Sequence, residues 1–484
     1  MKNSTLISLL RTFSRDELIE FQRFVDSPFF NKKKTLSRFF EILIKYSPKF
    51  DSIHLTNEKI HKKLYPGKSF SDVVMRNTLS RTLKLAEDYI ALKEFQKDKN
   101  YNALARMRSA TNRNHAILFE KARIKAEKII ETIQYHNEDY YYLKMMYEDE
   151  LRRFSTQVKS YSILEENNLQ KITDNGIYFM MTALLTLYAI MINENKHIIE
   201  NNFDFSFMDN ILEYYESNAE LFETMPYTSL YYNSIKLFLS EDDKYFSRVH
   251  EITVINYDSF KEMDRKNAYV VLINYCSERI NKGDLHYLKI KFKLYKEIME
   301  KGAHYEGLSY MSHVFYNRVA YASIHTGEID WALDFIEKYK NELNEEYKDS
   351  SYYLSLAEYF AKKEEYEKAL EVLSEVQRTD YLYKQEVYTL SLKIFYSAGM
   401  IESFYAEIEN YRNFLKHNKL VSKRRRELGL SFISLIKGLF DLKYKKSFGD
   451  RYDIFSLKKK IINNRFVIDK FWLLEKLKKL EDEG

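Results

Sequence analysis

The chain has 484 residues, with 76 Lys+Arg against 71 Asp+Glu, 11 glycines, 4 prolines and one cysteine. So few turn residues exclude a β-rich or α/β fold. The lone cysteine excludes an internal disulfide, and the length exceeds what one compact core usually fills, leaving several domains or an elongated array.

The net charge of +5 is unevenly spread: residues 1–130 hold 27 basic against 14 acidic side chains, 131–418 hold 31 against 48, and 419–460 hold 13 against 4. Basic ends and an acidic middle suit nucleic-acid contact by one end, or complementary faces that dock on each other or on a partner. Apolar residues recur at three- and four-residue spacing along nearly the whole chain, which is the helical period, so the expected class is all-α.

Residues 1–100 read as a small basic helical domain. After a first helix over Ser4 to Phe13, Ser14-Arg15-Asp16-Glu17 has the spacing of a capping box and opens a helix through Val25. The Ser27-Pro28 step ends that helix. Lys33 to Tyr46 places Leu36, Phe39, Phe40 and Leu43 on one face and is closed by Pro48. A short helix over Thr56 to Leu64 leads into the Tyr65-Pro66-Gly67 turn, after which Ser69 or Ser71 caps a helix reaching about Gln96.

Residues 101–175 are expected to form a long helical hairpin, with two helices over Ala116 to Val158 meeting near His136-Asn137. Asn175-Gly176 is a helix-stop pair. The uncharged run Ile177 to Ile192 would span about 24 Å as a helix, short of the roughly 30 Å of a bilayer core, and reads as a buried helix. The apolar stretch near Met1 is too short for a secretory signal. With Cys276 following an apolar run, a reducing, cytoplasmic setting without membrane insertion is the expectation.

From 176 to 418, apolar helices alternate with short polar breaks such as Asn281-Lys282-Gly283 and Lys301-Gly302, the cadence of a helical repeat array. Residues 419–484 read as basic helices capping that array, with a final amphipathic helix over Phe466 to Leu480 that carries Trp472, Leu473 and Leu474.

Within the array, Tyr316, Val319, Ala320, Gly327, Ala332 and Ile336 fall in register on the tetratricopeptide (TPR) template. Tyr353, Leu356, Ala357, Phe360, Tyr366, Ala369 and Leu373 match a second unit, with Glu364 in place of the turn glycine. A third, degenerate unit is phased by Gly399, with Tyr388, Phe395 and Ile408, and has Phe404 where a small alanine belongs. The stretch thus resembles TPR proteins. The resemblance implies a right-handed TPR-like α-solenoid whose first helices line a groove that binds a peptide or a helix. It points Asn317, Tyr321, His325, Leu354, Glu358 and Lys362 toward that groove. Tyr321 stands where the carboxylate clamp of chaperone-binding TPRs has Asn, which argues against a terminal-carboxylate ligand.

No phosphate-binding glycine loop, nucleophile elbow or zinc spacing occurs, so neither enzymatic activity nor a metal or cofactor is expected. Asp242-Asp243 reads as a solvated turn. On the helix after Gly67, Met75, Leu79, Leu83, Ala86 and Ile90 form an apolar stripe, and Arg76, Asn77, Ser80, Arg81 and Lys84 occupy the opposite face, residue types that meet phosphates and base edges. Met75 to Arg81 resembles the recognition helix of winged-helix activators that carry a TPR-like domain. After Ile90 the sequence continues as helix, without the strand pattern of a wing. Lys423-Arg424-Arg425-Arg426 is a further candidate for phosphate contact. The leading expectation is a protein-binding scaffold, and the alternative is a nucleic-acid-binding regulator with a TPR-like sensing domain.

Overall fold

The computed structural model describes all residues except 159–167, 198–200, 306–309, 377–380, 419–420, 422, 445–450, 465–466 and 484. The described residues form helices with no strand, only an isolated bridge between Met311 and Leu343. Two compact units are present, residues 1–133 with 140–176 and residues 134–139 with 177–484.

The first unit begins with α1 (Thr5–Leu10), α2 (Arg15–Asp26), α3 (Lys34–Ile44), α4 (Asn57–Leu64) and α5 (Asp72–Lys97). Local chemistry sets their ends. Ser14 Oγ accepts from the Glu17 amide at 3.1 Å and the Glu17 carboxylate accepts from the Ser14 amide at 2.8 Å, the reciprocal pair of a capping box. Thr56 and Ser71 cap α4 and α5 in the same one-sided way. Leu36, Phe39, Phe40 and Leu43 are buried with Phe21, Met75, Ala86 and Tyr89 in one core.

Then come α6 (Lys99–Asn112), α7 (Ala116–Glu131), α8 (Glu138–Val158) and α9 (Asn168–His197). α6 to α8 share a second core, in which Phe119 and Phe154 stack at 3.9 Å.

Two expectations fail at α9. Asn175 and Gly176 lie inside it, not at its end: the Asn175 side-chain amide donates to the Lys171 carbonyl at 2.7 Å, and a Cβ on Gly176 would stand 3.4 Å from Met145 Sδ. The glycine therefore lies within a continuous helix, beside Met145 of α8, rather than at a left-handed cap. The apolar run is also only partly covered. Met181, Leu185, Tyr188 and Ile192 are buried, whereas Met180, Leu187 and Ile190 are exposed. Among the described residues, this helix over Asn168–Lys196 is the one long and apolar enough to cross a membrane, and 39% of its most apolar window is buried.

The second unit continues with α10 (Met208–Ser217), α11 (Ala219–Phe222), α12 (Pro226–Ser240), α13 (Asp243–Ile255), α14 (Glu262–Asn281), α15 (Tyr287–Glu300), α16 (His313–Thr326) and α17 (Ile329–Tyr339). It ends with α18 (Lys348–Lys362), α19 (Tyr366–Ser374), α20 (Tyr381–Ala398), α21 (Ile401–His417), α22 (Lys423–Tyr444), α23 (Arg451–Asn463) and α24 (Lys470–Glu483). The pairs α12–α13, α14–α15, α16–α17, α18–α19 and α20–α21 are hairpins, and the second helix of each packs on the next helix in the chain. First helices also touch directly, α16 on α18 and α18 on α20. The expected Asp242-Asp243 turn is more than solvated: Asp242 caps α13, and Asp243 Oδ1 accepts from the Tyr275 and Tyr287 hydroxyls at 2.5 and 2.6 Å.

The small residues of the matched positions sit where hairpin helices cross. Tyr316, Val319, Ala320, Ala332 and Ile336 are all fully buried, as are Ala357 and Ala369. Gly327 (φ 91°) and Gly399 (φ 71°) close two hairpins in the left-handed region, and Glu364 takes the same conformation at φ 63° in the hairpin between them. Phe404, where alanine was expected, is fully buried and its ring stacks on Phe440 of α22 at 3.9 Å. The final helix starts at Lys470. Phe466, where the sequence pattern begins it, lies outside the described residues.

Candidate functional site

The first helices of two successive hairpins, α16 and α18, carry all six groove candidates, and α20, the first helix of the next hairpin, lies beside α18. What faces them is the chain's own α24. The Tyr321 hydroxyl donates to Asp469 Oδ1, and Lys393 Nζ donates to Asp469 Oδ2 at 2.8 Å and to Glu358 Oε1 at 2.7 Å. His325 Nε2 lies 2.8 Å from the same Glu358 oxygen. One turn along α18, Lys362 Nζ donates to Glu475 Oε1 of α24 at 3.2 Å.

The charged side chains of this network are nearly closed off from solvent, with Lys393 6%, Glu358 14% and Asp469 11% exposed. Burial alone would drive Glu358 and Lys393 toward their neutral forms, and their partners override it. Burial pushes the Glu358 carboxyl up, but the Lys393 ammonium and the His325 imidazole hold it down at about 2. Burial pulls Lys393 down, and Asp469 with Glu358 raises it well above the ordinary ammonium range. Burial and the neighbouring carboxylates push the Tyr321 phenol up. The cluster is thus a fixed arrangement of two carboxylates and one ammonium, with Tyr321 and His325 as donors. Glu358 therefore stays ionised and Lys393 protonated at neutrality.

Aromatic contacts complete the seat. Phe471 stands edge-on to His325 at 5.6 Å, Tyr321 stacks on His325 at 4.2 Å, and Trp472 is edge-on to Tyr396 of α20 at 5.2 Å. α24 also packs on α14, α22 and α23. Of the remaining groove candidates, Asn317 Oδ1 accepts from Ser355 Oγ at 3.2 Å, linking α16 to α18. Leu354 packs against the separate cluster of Ala357, Ala369, Tyr383 and Leu390. The structure therefore brings Tyr321, His325, Glu358 and Lys362 together and sets Asn317 and Leu354 to structural work. Sequence reasoning missed Lys393, Asp469, Phe471, Trp472 and Glu475. Lys393 sits one hairpin beyond the matched units, where the period would have placed it on the same face.

The second candidate surface lies on α5 of the first unit. Arg76, Asn77, Ser80, Arg81 and Lys84 are all exposed on one side, while Met75, Thr78, Thr82, Leu85 and Ala86 are buried on the other. Arg76 pairs with Asp72 one turn earlier at 2.9 Å, an exposed contact that is weak in water. The turn before α5 is closed by Lys68 N donating to Tyr65 O at 3.2 Å, with Gly67 at φ 78°. α5 runs unbroken to Lys97, and no strand follows it among the described residues, so the helix-turn-helix has no hairpin wing beside it. The Lys423 to Arg426 run begins α22; Lys423, Arg424 and Arg425 are exposed, and the carbonyl of Arg425 accepts from Gln385 Nε2 of α20 at 3.3 Å.

No protein-family model, curated protein or solved structure matches the chain.

Proposed function

We propose that this chain is a non-enzymatic, TPR-like scaffold whose second unit binds a partner protein through an amphipathic helix. The observation that supports this reading is the seat itself: a face built from α16, α18 and α20 accommodates a helix of 14 residues by a polar clamp at one end and aromatic contacts beside it. A helix laid in a groove with anchors at three- and four-residue spacing is a general mode of peptide recognition. Panning a display library of helical peptides against the full chain tests it. Enriched peptides should be amphipathic with an acidic residue near one end, and should lose affinity for the Lys362→Glu variant. No enrichment, or enrichment indifferent to Lys362→Glu, refutes the reading.

A second reading is favoured by the exposure of Arg76, Asn77, Ser80, Arg81 and Lys84 on one side of a helix that follows a tight turn. On this reading the first unit contacts nucleic-acid phosphates, with a steep dependence on salt. Binding of duplex DNA or RNA that survives physiological salt, and is abolished by Arg76→Glu with Arg81→Glu, would place this reading ahead of the first.

A further inference from the structure

We infer that α24 is an internal occupant of the groove: the chain closes its own binding face, and the partner that opens it carries an amphipathic helix of the form Asp-x-Phe-Trp-x-x-Glu. This rests on the groove-binding reading above, and adds what the groove recognises and how it is kept shut.

The groups of α24 that meet α16, α18 and α20 are Asp469, Phe471, Trp472 and Glu475. Asp469 and Trp472 to Glu475 follow a spacing of three, which places them on one side of a helix. Asp469 also caps it, accepting from the Trp472 amide at 3.3 Å. A partner helix with the same four residues would reproduce every polar contact. Its apolar side would have to replace Leu473 and Leu477, which belong to one buried cluster with Phe432, Ile436 and Phe440 of α22.

The seat joins a buried polar clamp to the apolar burial of Trp472, Leu473, Leu474 and Leu477. Buried ion pairs return little net stability, because desolvation offsets their attraction, while they strongly select the partner that completes them. Lys393 pairs with Glu358 at 2.7 Å in a contact between α18 and α20 that does not involve α24, so that carboxylate belongs to the face itself. It then offers the free side of Lys393, the Tyr321 hydroxyl and Lys362, three donors that call for two carboxylates. α24 itself carries Lys476, which burial pushes down to about 8, an ammonium drawn into a poorly solvated site. Exposure to water on undocking removes that desolvation cost.

The test uses the full chain and a fluorescent peptide of residues 467–481, followed by anisotropy. The double variant Asp469→Asn with Glu475→Gln weakens the internal helix but leaves the face intact. It should bind the peptide at least about tenfold more tightly than the unaltered chain does. Equal affinity for both overturns the self-closure while leaving groove binding standing. No binding by either, with helical circular dichroism retained, overturns both. Hydrogen exchange on the unaltered chain gives an answer that needs no variant. Amides of Trp472 to Leu477 should exchange through a local opening at least about tenfold faster than those of Val319 to Ser323 in α16. Equal protection of the two segments overturns the inference.

Discussion

Replacing Glu358 by Gln removes the one carboxylate that both Lys393 and His325 engage. A folded-state pKa of about 2 against the ordinary 4.5, at about 1.36 kcal/mol per pH unit, makes the ionised Glu358 worth about 3 kcal/mol at pH 7. Because the folded value is depressed, that contribution is fully present above about pH 4.5 and drains away as pH falls toward 2; about half is left at pH 3. The amide still accepts a hydrogen bond, and Lys393 retains Asp469, so the variant should lose about 2–3 kcal/mol at neutral pH. Both tryptophans, Trp331 and Trp472, lie in the second unit, so urea unfolding followed by tryptophan fluorescence reports on the right part of the molecule. The gap between variant and unaltered chain should shrink from pH 7 to pH 3. A gap that stays constant with pH would mean the cost is steric rather than electrostatic, and would refute the argument.

Phe404→Ala empties a fully buried position whose ring stacks on Phe440 at 3.9 Å, and should cost about 3–5 kcal/mol in the same unfolding assay. Gly327→Ala, at φ 91°, should destabilise by about 1–2 kcal/mol. Glu364→Gly, at φ 63° in the neighbouring hairpin, should leave the melting temperature unchanged or slightly raised, because relief of strain is set against a more flexible unfolded chain. Ser14→Ala removes half of a capping box and should cost about 1 kcal/mol, seen as faster hydrogen exchange at the start of α2.

What the sequence made readable was local. The Ser14 to Glu17 box, the α5 cap at Ser69 or Ser71 and the buried face of Leu36, Phe39, Phe40 and Leu43 follow from neighbours within a turn or two, and the structure shows the box, the face and Ser71 as the cap. The same is true of the hairpin register around Ala320 and Ala332. Gly176 misled because a glycine that ends a helix and a glycine inside one look alike in one dimension; here the helix runs on through it from Asn168 to His197. The TPR resemblance put Tyr321, His325, Glu358 and Lys362 on one face, but not what lies against them. Asp469 is 148 residues from Tyr321 and Glu475 is 113 from Lys362, so no local pattern ties them. Helical spacing marks which side of α24 is apolar and says nothing of where that side is buried.

The separation between Lys393 and Asp469 also has a meaning in time. The two are 76 residues apart, and at roughly 5–20 residues per second of synthesis the ammonium exists for several seconds before its second carboxylate is made. Over that interval the nascent chain can already pair Lys393 with Glu358, which lies 35 residues earlier. The hairpins can then assemble in order while the face they build still stands open to the surroundings of the ribosome. Each newly made molecule thus passes once through the open form before α24 arrives to cover it.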